Sequence, residues 1–161
     1  MVTTLQQEAR RIATAVHEGG GRALCVGGFV RDRLLGRPSK DLDIEVFGVP
    51  QDKLPALLQS LGKVVPAGQA FPVYKLGAID VALPRRESKT GRGHKGFTVE
   101  GDPSMPFEEA ARRRDFTINA IGWDPLTDEY LDPFGGRKDL ALRVLRICDR
   151  VTFGDDSLRV L

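Results

Sequence analysis

Residues 24–46 read LCVGGFVRDRLLGRPSKDLDIEV, and the fold turns on this stretch. An apolar segment ends at Gly27–Gly28, a short basic helix runs from about Phe29 to Leu35, and Gly36 and Pro38 stop it. Lys40 leads into a strand. Strand side chains alternate faces with period two, so Leu42, Ile44 and Val46 point into a core while Asp41, Asp43 and Glu45 share the opposite face. Like charges two residues apart repel, and a fold gains little by lining them up without a cation. That face is where function is to be sought.

Working outward, residues 4–17 carry Leu5, Ala9, Ile12, Ala13 and Val16 at helical spacing, and Gly19–Gly21 end that amphipathic helix. Ala23–Val26 reads as a short buried strand. Beyond Val49–Pro50, Asp52 has the character of an N-cap for a helix bearing Leu54, Leu57, Leu58 and Leu61, closed by Gly62. Strands are expected at Val64–Val65, Val73–Leu76 and Ala78–Leu83, the last two joined by a tight hairpin or bulge at Gly77. The polar, glycine-spotted and basic stretch 84–103 reads as a mobile loop. A helix is expected from about Pro106, with Glu108 and Glu109 early and Arg112–Arg114 late, as the helix dipole favours. Asp115 reads as the cap of a second helix through Ile121. A short strand at Glu129–Leu131 and a helix at Leu140–Leu145 complete the pattern.

The 161 residues suit one domain with a real core. Net charge is only +2, so bulk charge gives no argument for nucleic acid; Arg and Lys instead bunch at 31–40, 85–95 and 112–114, which fits a polyanionic ligand at one place. Cys25 and Cys148 lack metal-ligand spacing and read as reduced, packed thiols. No apolar run is long enough to span a bilayer and no signal-peptide core is present, so the expectation is a cytoplasmic protein without membrane contact.

Asp41 and Asp43 form a hard-oxygen pair of the kind Mg²⁺ takes, although a bare DxD is equally compatible with an exposed strand after an Asx turn. Asp80, in the strand AIDVAL, lies opposite Ile79, Val81 and Leu83. If that strand neighbours the first, three carboxylates converge as two-metal phosphoryl transfer requires; otherwise Asp80 is a solvated polar position. Gly27 and Gly28 between strand and helix suit a phosphate or a plain tight turn, and Arg31 stands one turn into the helix. Arg112–Asp115 is a basic run beside the apolar segment Phe116–Ile121, and His94 lies in the basic loop without a partner at catalytic spacing.

Taken together, GGFVRDRLLGRPSKDLDIEV, IDVALPRRE, RRRDFTINAIGWDPLTDEYLDPFGGRKDL, LRVLR and DDSLRVL resemble, in order and spacing, the class II (bacterial-type) tRNA nucleotidyltransferases, or CCA-adding enzymes, and their bacterial poly(A) polymerase relatives. The resemblance runs from about Leu24 to the last residue. It implies an α/β fold: a polymerase-β-like nucleotidyltransferase palm, with a mixed twisted sheet and flanking helices on one main face.

The resemblance also implies roles. Triphosphate and two Mg²⁺ ions fall to Gly28, Arg31, Asp41 and Asp43, and the nucleotide falls to Arg114 and Asp115, with Asn119 ordering the segment. Arg85–Gly101 matches a flexible loop. Asp155, Asp156 and Arg159 match the start of a base-selecting neck helix, with aspartate at 155 where glutamate is usual. Residues 1–145 are then the head and 146–161 the beginning of the neck, interrupted within its motif; the apolar face so exposed favours weak homodimerisation. The activity implied is transfer of NMP from CTP or ATP to a tRNA 3′-hydroxyl. Poly(A) synthesis, transfer to a small molecule or protein, and nucleotide or RNA binding without turnover are the other readings.

Overall fold

A computed structural model of the chain describes residues 4–68, 71–89 and 97–153. Helix α1 (Thr4–Glu18) is followed by β1 (Arg22–Val26), α2 (Gly28–Leu34), β2 (Leu42–Phe47), α3 (Leu54–Gln59), β3 (Val65–Ala67), β4 (Val73–Leu76) and β5 (Ile79–Ala82). After them come β6 (Arg85–Lys89), β7 (Phe97–Gly101), α4 (Phe107–Arg112), a 3₁₀ turn (Thr117–Asn119), β8 (Gly122–Trp123), β9 (Tyr130–Leu131), α5 (Gly136–Leu142) and α6 (Arg150–Phe153). Seven strands form one mixed sheet in the order β3-β4-β5-β2-β1-β8-β9. Only the β2–β5 pairing in it is parallel; the intervening chain crosses through α3 before returning beside β2.

The period-two reading of β2 holds. Leu42, Ile44 and Val46 are buried with Ile79 and Val81 of β5 and with Ala9, Ile12, Ala13 and Val16 of α1. Each of the Leu, Ile and Val side chains among them contributes about 1.5–3 kcal/mol when removed from water. The other face of β2 continues past Asp43 and Glu45 to Phe47, whose ring meets Phe107 edge-on at 6.1 Å. Gly122 admits that ring, because a Cβ there would stand 2.8 Å from Phe107 Cζ. Aromatic contact thus anchors α4 on the carboxylate side of the sheet, and the arginines at its end follow from that anchor.

Several expectations need correction. Residues 85–89 and 97–101 are not a loop; they pair as the antiparallel hairpin β6–β7, from Arg85↔Gly101 to Lys89↔Phe97. β6, RRESK, has no apolar alternation, so its strand character comes from pairing with β7 and not from its own pattern. The tip, 90–96 with His94, lies outside the described residues. Asp52 caps nothing: Lys53 occupies the N-cap of α3 and no side chain bonds the helix end. Asp115 leads into a single 3₁₀ turn instead of a helix through Ile121. The helix expected at Leu140–Leu145 lies earlier, and Arg143 ends it with φ 56.

Buried acids secure the far edge. Burial works against ionisation of Asp124, but hydrogen bonds from Arg22 and from the Leu126 and Thr127 amides outweigh it and lower its pKa. Asp139 is lowered first by the Thr117 hydroxyl, 2.7 Å away, and further by Arg146. A depressed folded-state pKa contributes stability above the unfolded value, about 3.9 for aspartate, and that contribution is lost as pH falls through the folded value. Chemical-denaturation midpoints are expected to fall on acidification below about pH 4, with Asp124→Asn and Asp139→Asn flattening the drop.

Candidate active site

On the carboxylate face a cleft of about 450 Å³ opens between the sheet and the end of α4. Asp43, Glu45 and Asp80 stand on its floor, and Arg113, Arg114 and Asp115 form one wall. The parallel pairing sets Asp43 directly beside Asp80. The neighbour relation on which the third carboxylate depended is therefore present.

The convergence itself is only partial. Asp80 accepts a hydrogen bond from Lys75 Nζ at 2.9 Å. Asp41 sits exposed just before β2 and is not part of the cleft lining. Among the described residues, no three His, Cys, Asp or Glu side chains gather as a metal cluster. The electrostatics nevertheless register all three acids. Asp43 keeps access to solvent, yet the cleft walls crowd it, and this desolvation raises its pKa above the ordinary carboxylate value. Arg114 opposes the rise, while Asp80 and then Asp41 add to it.

Arg114 reaches back over the sheet, with Nη2 3.4 Å from Glu45 Oε1. Glu45, the third acid on that face, is thus the partner of the cleft arginine. Gly27, at φ +73, belongs here for two reasons: the backbone needs glycine, and a Cβ would lie 3.3 Å from Arg114 Nη1 and 3.7 Å from Asp43 Oδ2. At Gly28 a Cβ would meet Arg31 Nη2 at 3.2 Å.

A hydrogen-bonded chain braces the cleft wall. Asp32 accepts from Arg31 Nε at 3.1 Å, and Arg31 Nη1 donates to Asn119 Oδ1 at 2.9 Å. Asn119 Nδ2 in turn donates to Asp115 Oδ1 at 3.1 Å, and the same oxygen takes the Phe116 amide at 2.7 Å. Three residues singled out in the sequence, Arg31, Asp115 and Asn119, thus form one network with Asp32. Asn119→Ala would leave a half-buried guanidinium and carboxylate each short of a partner, an effect of about 1–3 kcal/mol. The expected outcome is a fall in melting temperature of roughly 2–12 °C with cooperative unfolding retained, read by thermal melts.

The cleft also uses Arg85 and, from outside any motif, Phe71 and Val73. The one available signal was the hairpin register: with Gly77 at φ +59 in a two-residue loop, Leu76 pairs with Ile79 and Lys75 with Asp80, so alternate β4 residues share the carboxylate face. Asp156 and Arg159 lie outside the described residues.

The profile of the poly A polymerase head domain matches residues 23–146, the span that builds the sheet, cleft and bracing network. The chain belongs to this family. It is 48% identical over 138 residues to the multifunctional CCA protein of Xanthomonas campestris pv. campestris strain B100, a match covering 84% of this chain and 32% of that protein. The chain therefore spans about a third of the length of the curated relatives it matches. Among solved structures, the Bacillus stearothermophilus CCA-adding enzyme in complex with CTP superposes with a TM-score of 0.74 at 32% identity, covering 98% of this chain and 38% of that one. The Thermotoga maritima CCA-adding enzyme complexed with tRNA superposes with a TM-score of 0.72 at 29% identity, covering 96% and 35%. The polymerase-β-like palm implied by the motifs is the fold observed, and α4 stands on the cleft side of its sheet. No helix among the described residues is long and apolar enough to cross a membrane.

Proposed function

We propose that this chain is the catalytic head of a template-independent RNA nucleotidyltransferase of CCA-adding type, transferring NMP from CTP or ATP to a tRNA 3′-hydroxyl. The observation that carries the reading is the carboxylate row on β2 and β5, facing Arg114 and Asp115 across one cleft. CTP and tRNA are what two structurally similar CCA-adding enzymes hold.

The donor chemistry fits magnesium. Mg²⁺ is held by one or two carboxylates and completes its shell with water and substrate phosphates, so Asp41 and Asp43, with Asp80 paired beside Asp43, need form no closed cage. Crowding that raises the Asp43 pKa is the state that a nearby cation relieves. Two Mg²⁺ ions, when bound, supply Lewis acidity toward the RNA hydroxyl and charge for the departing pyrophosphate.

The chain's own residues position the reactants. The backbone at Gly27–Gly28 leaves room for phosphate beside Asp43, and Arg31 adds positive charge at that edge. Arg114 and Asp115, braced through Asn119, hold the nucleotide. A new bond forms between the RNA 3′-oxygen and the α-phosphorus as the bond to pyrophosphate breaks. Residues 146–161 are assigned to the beginning of the neck, with base selection given to Asp156 and Arg159.

The test is incubation of the purified chain with tRNA lacking its 3′ end, Mg²⁺ and CTP or ATP, separately and together, followed by sequencing of products. Addition that stops with EDTA supports the reading. Binding of nucleotide and Mg²⁺ without any extended RNA overturns it.

A further inference from the structure

Lys75 has no place in the motifs, yet it stands at the end of the carboxylate row. Its position is set by two registers: β4 pairs with β5 so that Lys75 lies opposite Asp80, and β5 pairs with β2 so that Asp80 lies beside Asp43. Directly paired residues share a sheet face and stand close enough to interact. Lys75, Asp80 and Asp43 therefore form one line across three adjacent strands. Lys75 Nζ closes on Asp80 Oδ1 at 2.9 Å, and its pKa is raised first by Asp80 and further by Asp41 and Asp43. The ammonium feels all three acids.

The row is thus bracketed by two cations of different character. Arg114 is half-buried and leans on Glu45. Lys75 and Asp80 are both more open, with side chains 49% and 37% exposed. An exposed pair is held weakly, and an ammonium on a four-carbon stem can swing away while remaining solvated. A guanidinium fixed in a wall cannot do so as readily.

We propose that Lys75 is the resident counter-cation of this site: it holds Asp80 while no divalent ion is present and releases it when one binds. The inference rests on the reading of the cleft as a divalent-cation site. Lys75 then sets the cation affinity by competing for Asp80, and it spares the ion-free protein a row of unpaired acids.

The test measures Mn²⁺ binding by titration calorimetry or by the EPR signal of free Mn²⁺, using the full chain. Lys75→Met is expected to tighten Mn²⁺ binding roughly threefold, the scale of one exposed ion pair. Lys75→Arg keeps the pair and stays near the parent affinity. The deciding arm repeats Lys75→Met in an Asp80→Asn background, where the tightening disappears because nothing is left to compete for. Equal tightening in both backgrounds would mean that Lys75 acts only as a general field, and the proposal falls. No tightening in either background also overturns it. Absence of Mn²⁺ binding by the parent chain instead removes the metal reading itself, so the two failures are distinguishable. Melting curves in EDTA verify that each variant is folded.

Discussion

Asp43→Asn is expected to lower nucleotide incorporation by about three orders of magnitude while the metal-free protein melts at or above the parent temperature. The loss follows from removing the carboxylate that lies beside both Asp80 and Arg114. Stabilisation of phosphoryl transfer through a bound cation contributes several kcal/mol, and each 1.36 kcal/mol is a factor of ten in rate. The stability half follows from linkage. Desolvation raises the folded-state pKa of Asp43, with Asp80 and Asp41 adding to the rise, so its ionised form is less favourable in the fold than in the unfolded chain. A raised pKa favours the fold at pH below the ordinary carboxylate value, and that contribution is lost as pH rises through the folded value. Asparagine is neutral at every pH and removes this cost. Single-turnover kinetics with labelled CTP and thermal melts in EDTA read the two halves separately. Full Mg²⁺-dependent activity in the variant would take Asp43 out of the site.

Gly136→Ala is expected to destabilise the protein by about 2 kcal/mol and to impair the distant cleft. Added at Gly136, a Cβ would collide with the Thr117 carbonyl and stand 2.9 Å from Ile121 Cγ1. Both obstacles belong to fixed parts of the structure: a backbone group in the 3₁₀ turn and a buried core residue. Alanine gains up to about 1 kcal/mol over glycine in a helix, but overpacking a filled site costs about 1–3 kcal/mol, and a backbone clash lies at the upper end. The clash wins. The melting temperature should fall by roughly 4–8 °C, on the basis of about 2–4 °C per kcal/mol at this size. Relief of the clash moves Thr117–Asn119, and Asn119 joins Arg31 to Asp115. Nucleotide KM should therefore rise even at temperatures where the variant is fully folded. An unchanged melting temperature would show that α5 can shift away freely.

The same 3₁₀ turn shows why parts of the site escaped a linear reading. RRRDFTINA has the composition of a capped helix, but Asn119 folds back to Asp115, and the Thr117 amide bonds the carbonyl of Arg146. The Cys148 amide bonds the carbonyl of Asp115. Residues about thirty positions downstream thus decide the local conformation. Hairpin β6–β7 escaped for a related reason: β6, RRESK, is made a strand by its partner and not by its own pattern. The partner of Glu45 is likewise illegible along the chain, because Arg114 arrives from the end of α4.

The sequence by itself determined the amphipathic helix at the N-terminus, the strand with its aliphatic and acidic faces, the glycine turn before α2 and the family. These are properties of local periodicity, backbone permissiveness and ordered motifs, all of which act over a few residues. Tertiary structure alone decided that Asp80 lies beside Asp43, that Lys75 closes on Asp80, and that Arg114 meets Glu45. The first two follow from strand register and the third from where Phe47 and Phe107 anchor α4. A chain states which face a carboxylate takes; only the pairing of strands and the packing of a helix state which charge stands next to it.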